Sequence, residues 1–173
     1  MKKTNKKQLN NYLNFAMAIC FLAAIVMIFL PAVKIGDDAY NGMKIVFGYT
    51  AKKNIVGNTS IETEIFKFSV MNLLTYIFVL VALVITCMQL VNVKKSNNMA
   101  TCLTALLALL AGVFFLLTRN FTVVSDTIKT GYEHLNTTFA KEAELGGGSI
   151  AGAVLSFVGC LLGVAKIVLS KAK

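Results

Sequence analysis

The sequence predicts an all-α membrane protein: a four-transmembrane-helix bundle with a small extracytoplasmic β-ribbon and an extended third helix. Apolar residues make up 57% of the chain and charged residues only 14%, and the mean hydropathy is +0.72. A soluble domain of ordinary composition is much less apolar. The charged residues also leave four long gaps along the chain, and these gaps are the predicted spans.

The four predicted spans are residues 13–30, 69–93, 99–117 and 150–169. Each approaches the length of about 20 residues that a helix needs to cross the hydrocarbon core. Lipid cannot satisfy backbone N–H and C=O groups, so a helix, which pairs them internally, is required. Lys166 is the one charged residue in these stretches, and it is close enough to the end of the fourth span for its ammonium to reach the headgroups.

The first span is predicted to be an uncleaved anchor that ends at Pro31. Lysines precede it, as in a signal peptide, but its apolar run is too long and no A-x-A-like cleavage site follows it. No domain boundary or long linker is visible elsewhere. Residues 1–173 are therefore predicted to form a single integral membrane domain.

The basic residues predict the orientation in the membrane. Nine lysines without acidic neighbours lie in the N-terminal tail, in the turn between the second and third spans, and at the C-terminal end: Lys2, Lys3, Lys6, Lys7, Lys94, Lys95, Lys166, Lys171 and Lys173. The two outer loops, residues 32–68 and 119–148, hold all eight acidic residues. Because lysine-rich short segments stay inside during insertion, both termini are predicted to be cytoplasmic.

The composition also predicts the location and the surroundings of the chain. Its Asn-, Thr- and Lys-rich loops are typical of an AT-rich bacterial coding sequence, so the expected location is a bacterial cytoplasmic (inner) membrane. The net charge of +9 lies at membrane boundaries, which favours contact with anionic lipid of the bilayer and excludes a nucleic-acid partner.

The first outer loop, residues 32–68, has the alternation of a β-ribbon. Met43, Ile45, Phe47 and Tyr49 alternate as on one side of a strand, and residues 61–65 supply a returning strand. The second outer loop, residues 119–148, has helical spacing instead, with apolar residues three or four apart: Phe121, Val124, Ile128, Tyr132, Leu135 and Phe139. This stripe predicts that the third span continues outward as an amphipathic helix.

Small residues recur on one face of the third and fourth spans. They are Thr101, Ala105, Ala108 and Gly112 in the third span, and Gly152, Ser156, Gly159 and Gly163 in the fourth. Backbones can approach closely where side chains are small, so these faces predict helix packing. Packing of the two spans within one chain is favoured over a homodimer face, because the spans are adjacent in sequence.

The search for catalytic chemistry finds no constellation. All four cysteines lie within spans, with no C-x-x-C pair. His134 is the only histidine, and a metal or nucleophilic site would need partners for it. The sequence therefore predicts no enzyme, no catalytic or metal site and no cofactor.

The uncharged polar residues of the second span allow a further interpretation. Asn72, Thr75, Thr86 and Gln89 are expected to form interhelical hydrogen bonds. The alternative is a polar pore lining, since channels can use uncharged groups.

The topology resembles the claudin-like tetraspan plan. Four spans with cytoplasmic ends, a sheet-like first outer loop and a projecting third helix carry the resemblance, together with Leu30-Pro31 followed by the stretch from Tyr40 to Met43. The first outer loop lacks the tryptophan and the cysteine pair that claudins carry there. The resemblance therefore implies an architecture and transfers no functional residue.

The function predicted from the sequence is that of a non-enzymatic interaction or accessory subunit that works through its outer loops. The partner is another membrane or envelope protein, or a second copy of the chain. The candidate contacts are Met43, Phe47 and Tyr49 in the first loop and Tyr132 and His134 in the second. The alternative is a small channel or transporter that is completed by oligomerisation.

Overall fold

A computed structural model describes residues 3–55, 59–91, 98–125 and 142–171. The helices are α1 (Lys3–Val26), α2 (Gly42–Phe47), α3 (Val70–Val91), α4 (Asn98–Leu116), α5 (Thr118–Phe121) and α6 (Gly147–Lys171), and a single 3-10 turn, Met27–Phe29, follows α1. The strands are β1 (Pro31–Ile35), β2 (Asp38–Asn41), β3 (Tyr49–Ile55), β4 (Thr59–Phe66) and β5 (Ala143–Leu145).

In the described parts of the chain, four helical segments are long and apolar enough to cross a membrane. They cover Gln8–Phe29, Val70–Val91, Asn98–Leu116 and Gly147–Ser170. The predictions of four long apolar helices and of a small antiparallel sheet are therefore confirmed. The gaps between charged residues were sufficient to find the helices, because no described helix of this length lies elsewhere.

The chain forms two compact units. One, the helical unit, consists of Met1–Val26, Leu74–Phe115 and Ala151–Lys173. The other, the sheet unit, consists of Met27–Leu73 and Leu116–Ile150. Each of α3 and α6 contributes its first turn to the sheet unit and the rest to the helical unit.

The core of the helical unit is built from aromatic rings set against small residues. Phe21 and Phe115 are fully buried, and the Tyr76 ring meets Phe115 edge-on at a centroid distance of 5.2 Å. Large apolar side chains of every long helix remain exposed, among them Leu22, Leu80, Leu106 and Leu161. Such an outer surface suits lipid better than water.

The described residues of the sheet unit form two antiparallel sheets. The first has the strand order β2-β1-β5, with Val33 opposite both Tyr40 and Leu145. The second is the β3-β4 hairpin, in which Thr50 is opposite Glu64. A small core of Ala32, Val33, Ile45, Phe66, Val124 and Ala143 lies in this unit. The first sheet was not predicted from the sequence.

The predicted strand through Met43 to Tyr49 is wrong over most of its length. Residues 42–47 form α2, in which Ile45 and Val46 are both buried. Two consecutive buried residues suit one side of a helical turn but not a strand with one face exposed. The hairpin begins only at Tyr49, and its second strand includes the predicted residues 61–65.

The prediction of an uninterrupted third helix is also wrong. Helix α4 ends at Leu116, the four-residue α5 follows, and Thr122 to Ser125 are not helical. Instead, Val124 forms a β-bridge with Phe66, and the Ser125 amide donates to the Ile65 carbonyl at 3.0 Å. The rest of the predicted stripe, from Ile128 to Phe139, lies outside the described residues.

Candidate functional site

Helix α2 presents two apolar side chains from a closely held turn. The Asn41 side chain caps the helix by accepting from the Lys44 amide at 3.0 Å. Backbone hydrogen bonds hold both ends of the turn, from the Gly42 amide to the Leu30 carbonyl and from the Ser69 amide to the Val46 carbonyl. Ile45 and Val46 therefore point into the core, and Met43 and Phe47 point outward.

Gly48 ends α2 in a conformation that favours glycine. Its φ is +91°, a region that side-chain-bearing residues rarely adopt. A Cβ atom here would also lie 2.9 Å from the Phe66 carbonyl oxygen. Gly48 therefore allows β3 to begin directly after the helix, close to the end of β4.

An exposed apolar patch results, and we call Met43, Phe47 and Phe68 the α2 patch. Their exposed fractions are 39%, 55% and 49%. The Phe47 and Phe68 rings lie 6.4 Å apart between centroids, tilted by 37°. Two large rings left beside one another on the surface form a typical contact site for another apolar surface.

Tyr49, the third predicted contact of the first loop, occupies a different environment. It is half-buried, its ring lies 6.0 Å from that of Tyr40, and the Lys44 ammonium sits 4.1 Å from its ring centroid. The pKa of Tyr40 is raised above its ordinary value, mainly by burial and to a smaller extent by electrostatic interaction with Asp38 and Tyr49. Tyr49 thus belongs to an aromatic cluster beneath Lys44.

The cap of α2 yields a testable prediction. Asn41→Ala removes the acceptor for the Lys44 amide and is expected to lower the free energy of unfolding by about 1 kcal/mol, as for other helix caps. Asn41→Asp keeps an acceptor and is expected to retain most of the stability. Thermal unfolding in detergent measures both, and equal losses for the two variants would contradict the capping role.

The helical unit contains a buried polar cluster, of which the sequence predicted only the interhelical hydrogen bonding of Gln89. The Lys166 side chain on α6 is 2% exposed. Its amino group donates to Asn14 Oδ1 on α1 at 2.7 Å and to Gln89 Oε1 on α3. Thr101 Oγ1 on α4 donates to the same Gln89 oxygen at 3.1 Å. All four long helices therefore contribute one residue to the Lys166 cluster, as we call these four residues.

The expected extension of Lys166 toward the headgroups is wrong, because its amino group is held within the helical unit. No Asp or Glu occurs in the sequence of that unit, so neutral oxygens alone receive the lysine. A charged group so placed is expensive in a membrane and commonly functional. Asn14 and Gln89 are amide side chains within apolar spans, and this was the sequence signal for the cluster. The sequence does not give the rotation of each helix about its axis, so the direction of these side chains could not be predicted.

Two other polar residues of α3, Thr86 and Asn72, donate side-chain hydrogen bonds to backbone carbonyl groups. Thr86 Oγ1 donates to the Ala82 carbonyl one turn earlier, at 2.8 Å. In the sheet unit, Ser69 Oγ donates to the Phe121 carbonyl at 2.6 Å, and the Asn72 side chain donates to the Thr118 carbonyl at 3.5 Å. Asn72 therefore belongs to the sheet unit and Gln89 to the helical unit. Thr75, also on α3, is buried.

The small residues of the third and fourth spans are all buried: Thr101, Ala105, Ala108, Gly112, Gly152, Ser156, Gly159 and Gly163. A Cβ atom at Gly112 would lie 2.6 Å from the Phe157 ring, and one at Gly152 would lie 2.8 Å from the Phe115 ring. One at Gly163 would lie 3.2 Å from the Ala105 Cβ. Gly159 faces the ring of Phe21 on α1 instead. The glycines of α6 thus adjoin both α4 and α1.

Two of the predicted contact residues, Tyr132 and His134, lie outside the described residues. Among the residues that are described, no group of three His, Cys, Asp or Glu side chains could hold a metal ion. The four cysteines are free thiols. The structure therefore offers two candidate sites, the α2 patch and the Lys166 cluster.

Comparison with known proteins adds no family assignment. No protein-family model matches the chain, and no curated protein matches it. A functional assignment therefore depends on the chemistry of the two sites.

Proposed function

We propose that the protein crosses a bacterial cytoplasmic membrane four times, with both termini cytoplasmic, and serves as a non-enzymatic accessory subunit of another membrane or envelope protein. The sheet unit is its extracytoplasmic part. The distribution of the lysines supports the orientation, and the four long apolar helices support the membrane location.

The α2 patch carries the proposal of an interaction. Met43 and Phe47 are exposed, and backbone hydrogen bonds hold α2 at both ends. A rigid turn loses little conformational entropy when a partner binds, which increases the affinity obtained from a small apolar surface. Tyr132 and His134 remain proposed contacts from the second loop.

The proposal is tested by purifying the tagged protein from its native membrane in a mild detergent and measuring the mass of the intact complex. A distinct stoichiometric partner is expected, and its loss in the variant Phe47→Ser would assign the contact to the α2 patch. Leu80→Ser, an exposed position on α3, is the matched control. A pure homo-oligomer would contradict the accessory role.

A second candidate function is a small oligomeric channel or transporter. The Lys166 cluster supports it, because buried ionisable groups within spans commonly lie on ion or substrate pathways. Under this proposal, purified protein in liposomes carries a solute flux that Lys166→Met reduces at least several-fold. Wild-type protein that oligomerises but conducts nothing across a panel of inorganic ions would contradict it.

A further inference from the structure

The surroundings of the α2 patch indicate what covers it. The patch itself contains no charged side chain. The Lys44 ammonium, on the same helix, is directed onto the Tyr49 ring at 4.1 Å, and Lys67 is the sequence neighbour of Phe68. Exposed apolar residues continue from it on both sides within the sheet unit. They are Phe29 and Leu30 before β1, and Val70 and Met71 in the first turn of α3.

Backbone hydrogen bonds join α2 to both of these flanking segments. The Gly42 amide donates to the Leu30 carbonyl at 3.3 Å, and the Ser69 amide donates to the Val46 carbonyl at 2.9 Å. Leu30 follows the first apolar segment, and Ser69 precedes the second. Backbone hydrogen bonds therefore join α2 to the residue after the first apolar segment and to the residue before the second, and both of these residues belong to the sheet unit.

Exposed apolar residues thus occur both on α2 and in the two segments that are hydrogen-bonded to it. Apolar side chains at the boundary of a span can be buried in the interfacial region of a bilayer, whereas their exposure to water is unfavourable. The Asn41 side chain, which adjoins α2 in the sequence, is engaged in the helix cap.

We infer that the α2 patch contacts lipid acyl chains, so that α2 is a short interfacial helix immersed at the outer boundary of the bilayer. This inference rests on the proposed membrane crossing. It also restricts the proposed partner, because a protein that binds the patch must displace lipid and therefore be membrane-embedded at that level.

The test uses the absence of tryptophan from the natural sequence. Phe47→Trp and Phe68→Trp each place one fluorophore in the patch, and the second variant is available if the first does not fold. Each purified variant is reconstituted into phosphatidylcholine vesicles with bromine on the acyl chains, either near the headgroup or near the chain end. Leu80→Trp, in the middle of α3, is the reference position.

We expect the patch tryptophans to be quenched more strongly by bromine near the headgroup than by bromine near the chain end, and to be shielded from aqueous iodide. Leu80→Trp should show the opposite order of bromine quenching. Patch tryptophans that only iodide quenches, with Leu80→Trp quenched by lipid, would overturn the inference and leave the membrane crossing intact. A Leu80→Trp that no lipid quenches would overturn the membrane crossing itself.

Discussion

Gly146→Ala is expected to destabilise the protein by about 3 kcal/mol, at the upper end of the usual cost of overpacking. A Cβ atom at this position would fall well inside van der Waals distance of the Pro31 carbonyl group. The Gly146 amide also donates to the Ala32 carbonyl at 2.8 Å. Because the obstacle is backbone, which no side-chain rotation can remove, β1 and the chain after β5 must separate.

The neighbouring Gly147 supplies the control. A Cβ atom there would have no heavy atom within 4 Å, and Gly147 begins α6. Gly147→Ala should therefore be neutral or slightly stabilising, since alanine favours helix over glycine by up to about 1 kcal/mol. Thermal unfolding of both variants in the same detergent measures the difference. Equal stability of the two variants would contradict the close approach at Gly146.

Asn14→Leu is expected to destabilise the helical unit by about 2–3 kcal/mol, the value of a buried hydrogen bond to a charged group. The substitution removes one of the two oxygens that receive the Lys166 amino group. In the background of Lys166→Met the same substitution should cost much less, because no buried amino group then lacks an acceptor.

The double-mutant cycle is measured by reversible unfolding in mixed micelles, with Tyr12→Leu as the control for the loss of a polar side chain from α1. Tyr12 is exposed, so its replacement should change stability little in either background. Additive losses for Asn14→Leu and Lys166→Met would contradict the energetic coupling of these residues.

The long helices could be predicted from the sequence because the absence of charged residues over some 20 positions is a strong signal for a span. Elements whose structure depends on a few specific contacts could not be predicted in this way. The alternation from Met43 to Tyr49 fits a strand. The Asn41 cap and the backbone hydrogen bonds to Leu30 and Ser69 stabilise a helical turn instead. The pairing of β1 with β5 joins segments that are far apart in the sequence, and no local sequence pattern predicts it.

The two candidate sites also differ in how far the sequence predicts them. Met43 and Phe47 could be chosen as contacts from their apolar character, and both are exposed. The Lys166 cluster could not be found, because the sequence position of Lys166 fits a side chain that extends to the headgroups equally well. Only the rotation of α6, toward Asn14 and Gln89, distinguishes the two conformations.

The orientation of the chain is the central claim, since the proposed functional surface depends on it. It is tested with single cysteines in a background from which Cys20, Cys87, Cys102 and Cys160 have been removed. Ala39→Cys reports on the sheet unit and Met99→Cys on the start of α4, and both positions are exposed. A membrane-impermeant maleimide added to intact spheroplasts should label Ala39→Cys at once and Met99→Cys only after permeabilisation. Labelling in the reverse order, or of both residues in intact spheroplasts, would contradict four crossings with cytoplasmic termini.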